Sequence, residues 1–288
     1  MIKVAGIIVN PTKKNWLNVT NSLIKFLVKR KRKVVMEPAF LANYPLKNAE
    51  GDEFFRTADI IISLGGDGTL LNAIRSIRNF DLPVFGVNLG GLGFLTEFTQ
   101  QTLFNEIEKV LKNDYEVQKR MMLQGILLRD GKIQEKHVAL NDFVISQRDL
   151  ARLLTINTFV NDEYITTYQA DGLIVCTPTG STAYSLSAGG PIVEPDTDVI
   201  LMTPICPHTL TNRPILLPPD SKIKIELPQP ENEVALTIDG QIGITVRKGD
   251  VIELKRYSKY INLIKSSKSS FFQILRKKLG WGGSKGVQ

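Results

Sequence analysis

Three glycines surround a single aspartate directly after an apolar run, in the order Gly65-Gly66-Asp67-Gly68-Thr69. Glycine lets the backbone approach a ligand closely, and we expect Thr69 to be the N-cap of a helix whose free N–H groups hold a phosphate. A site that only held phosphate would be better served by Lys or Arg than by Asp67. The pattern therefore predicts that Asp67 is a base or a hydroxyl-binding group acting on whatever receives the phosphate. The plainer alternative is a turn in which Asp67 bonds its own backbone.

A second stretch combines a tight turn with small hydroxyl residues. The turn Thr177-Pro178-Thr179-Gly180 follows a predicted strand, and a short hydroxyl-rich helix over about 181–188 leads into Gly189-Gly190-Pro191. Small side chains leave room for a flat ring and offer neutral hydrogen-bond partners. Taken alone, the stretch also fits a Ser/Thr-rich turn that caps a helix.

Polar side chains also occur at the ends of other predicted strands. Asn141 and Asp142 stand side by side at the start of one, where they could bond a ribose or a base amide, although turn use is the more common role. The tripeptide 239–241, Asp-Gly-Gln, is a hairpin signal that supplies two polar side chains at a strand end. A second glycine-rich turn, 90–93, follows the predicted strand at 83–87.

Strands alternating with helices precede residue 117. The strands are predicted at 2–9, 34–36, 59–64 and 83–87, and the helices at 15–29, 69–79 and 103–111, with a loop at 38–57. Such alternation implies a parallel sheet whose ligand crevice lies at the carboxyl ends of the strands, where both glycine turns fall. We predict an α/β N-terminal domain with a parallel sheet over residues 1–117.

After residue 117 short alternating runs separated by turn signals indicate an all-β, sandwich-like C-terminal domain over residues 118–265. Its strands are predicted at 121–129, 138–146, 153–160, 164–168, 173–176, 223–227, 234–239, 242–246 and 251–255. Residues 266–288 are predicted to be an amphipathic helix and a tail, with Phe271, Leu275 and Leu279 on one stripe, docking back on a domain.

Composition excludes several classes of protein. The 288 residues carry a net charge of +7, which suits small anionic substrates or nucleic acid, but the basic runs at 29–33 and 276–278 lack interleaved aromatic residues and indicate a solvated surface. Two cysteines and two histidines argue against a disulfide framework, a zinc site and a His-centred triad. The apolar start is too short for a membrane span and lacks a signal-peptide layout, so we expect a cytoplasmic protein without nucleic-acid or membrane partners.

Common nucleotide-binding motifs are missing. No GxxxxGK[ST] pattern occurs, since Gly131-Lys132 is followed by Ile133, and neither glycine turn completes GxGxxG. The chain is therefore neither a P-loop NTPase nor an ordinary dehydrogenase.

Taken together, these segments resemble the NAD kinases, the family that makes NADP by phosphorylating NAD. The resemblance covers both halves of the chain in family order, through residues 64–71, 87–95, 141–142, 170–193 and 238–241. The run from Thr177 to Ile192 is highly specific, whereas lipid kinases and phosphofructokinases share the Gly-Gly-Asp-Gly-Thr turn. The closing residues 278–282 also resemble bacterial members.

The resemblance implies a two-domain enzyme with NAD between an α/β domain and a dinucleotide-binding β-sandwich. Such an enzyme transfers the γ-phosphoryl of ATP, or a phosphoryl of polyphosphate, to the 2′-hydroxyl of the adenosine ribose of NAD. Mg²⁺ or another divalent metal would be carried on ATP without direct protein ligands. A homodimer or homotetramer is the implied assembly.

The resemblance also assigns site residues. Asp67 would be the catalytic proton acceptor. The residues implied to bind the dinucleotide are Asp67, Gly68, Asn141, Asp142, Arg152, Asp171, Thr182, Ala183, Tyr184, Ser185, Ser187 and Gln241. The glycines implied to lie near the phosphates are Gly65, Gly66, Gly90, Gly91 and Gly93. Two positions depart from the family: Asp142 stands where Glu is usual, and Gln169 where a basic residue is common.

Two other functions fit part of the pattern. A lipid or sugar kinase would share the Gly-Gly-Asp-Gly-Thr turn, but the run at 177–191 argues against it. A non-catalytic NAD(H)-binding regulator would not need Asp67 within a complete glycine turn, so that residue favours catalysis.

Overall fold

A computed structural model describes residues 2–36, 57–77, 80–147, 153–228, 234–266 and 269–281. The predicted loop at 38–57 lies outside these residues except for Thr57. The chain divides into two compact units, which are described separately: the first comprises Met1–Lys119 with Ile261–Gln288, and the second Arg120–Tyr260.

The first unit contains a parallel sheet. Its strands are β1 (Val4–Val9), β2 (Lys33–Met36), β3 (Ile60–Gly65), β4 (Pro83–Asn88), β5 (Phe98–Thr99), β6 (Glu116–Arg120) and, from the end of the chain, β19 (Ile261–Lys265). They follow the order β2-β1-β3-β4-β19-β6, with β5 beside β4. Pairings of β1 with β2 and β3, and of β4 with β3, β5 and β19, are parallel.

Helices of this unit are α1 (Trp16–Lys29), α2 (Asp67–Ser76), α3 (Leu103–Leu111) and α5 (Phe271–Leu279). Every residue of β3 is buried, as expected for an apolar run in a parallel sheet covered on both faces. The buried stripe of α1 joins the same core as β1, β3 and β4. This packing fixes the carboxyl ends of β3 and β4, where the two glycine turns begin.

The start of α2 differs from the prediction. The helix begins at Asp67 rather than at Thr69, because the carbonyl of Gly66 already accepts hydrogen bonds from the N–H groups of Thr69 and Leu70, at 3.0 and 3.1 Å. Gly66 is therefore the N-cap, and Asp67 is the first residue of the helix. The helix ends at Ser76, because Ile77 has an extended backbone with a ψ of 130°.

The second unit consists of two antiparallel sheets. One contains β7 (Leu123–Arg129), β8 (Lys132–Ala139), β10 (Leu154–Val160), β11 (Glu163–Ala170), β15 (Ile223–Glu226) and β18 (Val251–Arg256). The other contains β9 (Asp142–Gln147), β12 (Gly172–Cys176), β13 (Ile200–Ile205), β14 (Ile215–Leu217), β16 (Val234–Ile238) and β17 (Ile242–Val246). Their orders are β11-β10-β15-β18-β7-β8 and β14-β13-β12-β9-β16-β17.

A single apolar core joins the two sheets, with Leu123, Ile156 and Ile225 from one and Phe143 and Val175 from the other. Alternation of buried and half-buried residues along β10 is the pattern expected of a strand with one face in such a core. The parallel first sheet and the two antiparallel sheets confirm the predicted fold class.

Some predicted ranges differ from the observed ones. The predicted strand at 138–146 spans the end of β8 and nearly all of β9, because the apolar alternation continues across the link between them. The predicted second domain ran to residue 265, but β19 pairs with β4 and belongs to the first unit. An alternating apolar pattern identifies a strand without specifying the sheet that it joins.

The C-terminal helix α5 is capped at both ends and belongs to the first unit. Ser270 and Gln273 form a capping box, and Gly280 ends the helix with a φ of 67°. Of the predicted stripe, Leu275 is buried and Phe271 and Leu279 are half-buried, and Ile274 is buried in addition. Among the described helices, none has the length and apolar character needed to cross a membrane.

Candidate functional site

The Asp67 carboxylate holds the loop that follows the second glycine turn. Its Oδ2 accepts a hydrogen bond from the N–H of Phe94 at 2.8 Å. Its Oδ1 accepts bonds from the N–H groups of Leu95 and Thr96, at 3.2 and 3.0 Å. The Thr96 hydroxyl also donates to Oδ1, at 2.8 Å. The two glycine turns of the first unit are therefore linked through one side chain at the start of α2.

Asn88 and Thr96 belong to this arrangement, although neither was predicted to have a role. The buried Asn88 side chain donates to the Thr96 hydroxyl at 2.8 Å and accepts from the N–H of Gly90 at 2.8 Å. Asn88 is the last residue of β4. Its position at the carboxyl end of a predicted parallel strand could have identified it as a site residue. Thr96 had no comparable signal, because Asp67, to which its N–H and hydroxyl both donate, lies 29 residues away.

Glycines in these turns provide close approach rather than a left-handed backbone. Among the described residues, the glycines with positive φ do not include Gly65 or Gly93. A Cβ built on Gly93 would overlap the Asp67 carboxylate and the Thr96 hydroxyl, and one on Gly65 would overlap the Thr69 side chain. The absence of a side chain at Gly93 therefore lets the loop reach Asp67.

In the second unit, Asn141 and Asp142 lie where the central strand β9 begins. Because β9 pairs with both β12 and β16, Asp142 lies opposite Cys176, and Phe143 lies opposite Ile238. The residues that follow β12 and β16 therefore flank those that precede β9. This register brings the hydroxyl-rich run and the 239–241 turn to Asn141 and Asp142.

Asp142 is buried, with 4% of its surface exposed. Burial, and secondarily the charge of Asp239, raises the pKa of the Asp142 carboxyl from its ordinary value of 3.8 to about 7. Near neutral pH this side chain is therefore present both as a hydrogen-bond donor and as a carboxylate.

The hydroxyl-rich run forms a 3₁₀ turn, Thr179–Thr182, and then the short helix α4, Tyr184–Ser187, rather than one continuous helix. Ala183 separates them with a ψ of −131°. Hydroxyl groups bond to nearby backbone, including Thr182 to the carbonyl of Thr179 at 3.3 Å, and such bonds compete with regular helix.

The other predicted site residues differ in exposure and place. Ser185 is fully buried, and its hydroxyl pairs with that of Thr203 at 2.9 Å. Asp171 is exposed at the end of β12 opposite to the hydroxyl-rich run, so the structure does not bring it to Asn141 within this unit. The other predicted residues of the second unit that the structure describes are exposed or half-buried: Asn141, Thr182, Ala183, Tyr184, Ser187 and Gln241. Arg152 lies outside the described residues.

Gln169, where a basic residue is common in the family, pairs with a neighbouring strand. Its side-chain amide donates to the Thr155 hydroxyl at 3.0 Å. Within the ranges that the structure describes, no cluster of three or more His, Cys, Asp or Glu side chains could hold a metal ion.

A substitution at Gly93 tests the contact that its missing side chain allows. Gly93→Ala should lower the free energy of unfolding by about 1–3 kcal/mol, because the new Cβ displaces the loop or the Asp67 carboxylate. Gly91→Ala is the matched control, because its Cβ would meet no heavy atom of the described residues within 4 Å. It should change stability by less than about 0.5 kcal/mol. Urea unfolding of both variants measures the difference, and equal losses would contradict the contact.

The raised pKa of Asp142 predicts a pH dependence of stability. A carboxyl with a raised pKa binds more protons in the folded state than in the unfolded state. Its contribution to stability is therefore complete below its ordinary pKa of 3.8 and is lost as the pH rises through about 7. The loss should approach about 1.4 kcal/mol per pH unit inside that window. Asp142→Asn should remove this pH dependence. In urea unfolding from pH 4 to 8, the free energy of unfolding of the variant should therefore rise relative to that of the wild type as the pH rises. A constant difference would refute the shift.

Comparison with known proteins places the chain in a family. A family model described as the ATP-NAD kinase N-terminal domain matches residues 5–115, and one described as the ATP-NAD kinase C-terminal domain matches residues 140–266. An NAD kinase of Geotalea daltonii is 44% identical over 92% of this chain and 94% of its own. An NAD kinase of Caldanaerobacter subterraneus subsp. tengcongensis is 43% identical over 96% of this chain and 99% of its own.

Solved structures show the same fold. Yeast NADH kinase in complex with NADH superposes with a TM-score of 0.88 at 27% identity, covering 100% of this chain and 90% of that one. An Archaeoglobus fulgidus NAD kinase in complex with ATP gives a TM-score of 0.76 over 97% of this chain and 100% of that one; at 24% identity it bears on the fold alone. With both domain models matched in order and relatives above 40% identity over most of the chain, this protein belongs to the NAD kinase family.

Proposed function

We propose that this protein is an NAD kinase that transfers the γ-phosphoryl of ATP to the 2′-hydroxyl of the adenosine ribose of NAD. Relatives above 40% identity that carry the name NAD kinase over nearly their whole length support the reaction. The single observation that supports the role of Asp67 is its orientation at the start of α2, where four hydrogen bonds hold its carboxylate between two glycine turns.

Within that carboxylate, we assign the acceptor hydroxyl to Oδ2. Three of the four hydrogen bonds from the loop go to Oδ1, whereas Oδ2 receives the one from Phe94. Each carboxylate oxygen has acceptor capacity for about two donors, so Oδ2 retains room for a ribose hydroxyl. The bonds to Oδ1 keep the side chain in the orientation that this contact needs.

The proton transfer that we propose occurs late. A ribose hydroxyl is a very weak acid, and phosphoryl transfer passes through a loose transition state in which the attacking oxygen carries little developed bonding. Asp67 then has to position the hydroxyl and receive its proton as the new P–O bond forms. A fixed carboxylate serves this purpose, because misplacement by a fraction of an ångström costs rate.

Acceptor binding is assigned to the second unit. Asn141 and Asp142 offer an amide and a carboxyl where β9 begins, and Thr182 to Ser187 supply small and hydroxyl side chains beside them. Gln241 belongs to the 239–241 turn, which the register brings to Asn141 and Asp142. Arg152 and Asp171 stay in the proposal on the resemblance alone.

Donor binding is assigned to the glycine turn after β4. The N–H of Gly90 is already bonded to Asn88, but Gly91 is exposed. ATP phosphates would bring Mg²⁺, which favours phosphate and water oxygens and neutralises charge on the transferred group. Polyphosphate is the alternative donor. A cytoplasmic location and a homodimeric or homotetrameric assembly complete the proposal.

A direct assay tests the reaction and the role of Asp67 together. Wild-type protein incubated with NAD, ATP and Mg²⁺ should form NADP, measured with an NADP-specific dehydrogenase. Asp67→Asn should lower kcat by at least about 100-fold, because the amide cannot accept the proton. NAD affinity should stay within several-fold.

Thr96→Val separates the role of Asp67 in catalysis from its role in holding the loop. This variant removes one of the four hydrogen bonds to Asp67 and keeps the carboxylate. It should lose far less of kcat than Asp67→Asn does. Equal losses in the two variants would show that loop position, rather than proton acceptance, explains the effect of Asp67.

Gly91→Ala tests donor binding without disturbing the protein. Because a Cβ at Gly91 has space among the described residues, a loss of ATP binding has to come from a clash between the new Cβ and ATP. We expect KM for ATP to rise by about tenfold or more, with KM for NAD unchanged, because backbone approach to a phosphate needs glycine. An unchanged KM for ATP would remove Gly91 from the donor site.

A further inference from the structure

The link between β8 and β9 is held by one carboxylate. Asp239 Oδ1 accepts hydrogen bonds from the N–H groups of Asn141 and Asp142, at 2.7 and 3.1 Å. Its Oδ2 accepts one from the N–H of Leu140 at 3.1 Å. Successive backbone N–H groups that converge in this way form a concavity that attracts an anion. Here the anion is a side chain of the same unit.

Thr177 holds the carbonyl groups of the same link. Its hydroxyl donates to the carbonyl of Leu140 at 2.5 Å, and its N–H donates to the carbonyl of Asn141 at 2.9 Å. The hydroxyl also accepts from the N–H of Gly180 at 3.1 Å. A Cβ on Gly180 would overlap the backbone of Asn141, so the turn after β12 lies directly against the link.

A hairpin alone would not need this carboxylate. Asp239 and Gly240 have φ values of 49° and 64° in the turn between β16 and β17, a conformation that Asn or Gly adopts as readily as Asp. The Asp239 side chain instead leaves its own hairpin and reaches the neighbouring strand. Hydrogen bonds to a charged acceptor are roughly twice as strong as neutral ones. They fix the link more firmly than an amide would.

We propose that Asp239 and Thr177 are positioning residues for the dinucleotide. By fixing the backbone of the link from both sides, they hold the Asn141 and Asp142 side chains in one binding geometry. The inference rests on the proposed function, which assigns Asn141 and Asp142 to NAD. Asp239 and Thr177 act through the link, not by touching the ligand.

Asp239→Asn in the full-length chain is the first test. The asparagine side chain is almost the same size as that of aspartate, but it carries no charge. Its NH₂ group would face a backbone N–H that Asp239 accepts in the wild type. We expect KM and Kd for NAD to rise by at least about tenfold, because a charge-assisted hydrogen bond is lost and a backbone N–H is left without its acceptor. KM for ATP should stay within about twofold, because donor binding is assigned to the first unit.

Thr177 gives an independent test with its own rescue. Thr177→Val keeps the size of the side chain but removes the hydroxyl that bonds Leu140 and Gly180, and it should raise KM for NAD in the same selective way. Thr177→Ser restores the hydroxyl and should return KM for NAD to within about twofold of the wild type. A serine variant as impaired as the valine variant would overturn the role of this hydroxyl.

Asp250→Asn is the matched control for loss of a buried carboxylate. Asp250 is 1% exposed and also holds a turn, the one that links β17 to β18. It accepts two bonds from Arg129 at 2.7 Å and one from the N–H of Arg247 at 2.8 Å. Its loss should lower the melting temperature without changing KM for NAD. This separates a general loss of stability from a change in NAD binding.

Two results would overturn the proposal: an unchanged NAD affinity in Asp239→Asn, or parallel increases in KM for NAD and ATP like those of a merely destabilised protein. Calorimetric titration measures the Kd for NAD without requiring turnover, so it tests the positioning role independently of the kinase reaction. Wild-type protein that binds NAD without forming NADP would refute the proposed reaction. The affinity ratio between Asp239→Asn and wild type would still decide the positioning role.

Discussion

Backbone N–H groups in loops need acceptors, and in both units the carboxylate of one aspartate satisfies three successive ones. Asp67 accepts the N–H groups of residues 94–96, and Asp239 accepts those of residues 140–142. Each aspartate follows the end of a strand, and each loop comes from a distant part of the chain. The geometry of both proposed binding regions therefore depends on a single negative charge placed against a run of backbone dipoles.

Asp67 combines a structural role with the proposed catalytic one, and the two are compatible because three of the four bonds to the loop use Oδ1 and only one uses Oδ2. The three bonds to Oδ1 hold the loop, and they also restrict the side chain to one orientation. A proton acceptor that is already oriented avoids reorganisation during the reaction. Gly93 makes this possible, since a side chain there would occupy the space of the Asp67 carboxylate. The proposed base and the glycine turns are thus one interdependent arrangement.

Local patterns in the sequence predicted the fold class, which the structure confirms, and indicated the stretches on which the proposed site is built. The glycine turn around Asp67 and the hydroxyl-rich run are each one continuous segment of the chain, so each could be recognised from the sequence. Thr96 was not assigned a role, and Asp239 was predicted only as a polar side chain in a hairpin turn. Thr96 lies 29 residues from Asp67, and Asp239 lies 97–99 residues from the N–H groups that it accepts. For the same reason no local pattern indicated that β19 pairs with β4. Its apolar residues indicate a strand, but its partner β4 is far away in the chain.

Asp142 shows how a departure from the family pattern acts physically. A glutamate there would carry its carboxyl one methylene further from the backbone of β9. The shorter side chain keeps its carboxyl buried near Asp239, and both effects raise its pKa to about 7. A neutral carboxyl donates a hydrogen bond as well as accepting one, whereas a carboxylate only accepts. Around neutral pH, Asp142 is therefore present both as a donor and as an acceptor, and the charge of Asp239 shifts the balance toward the donor form.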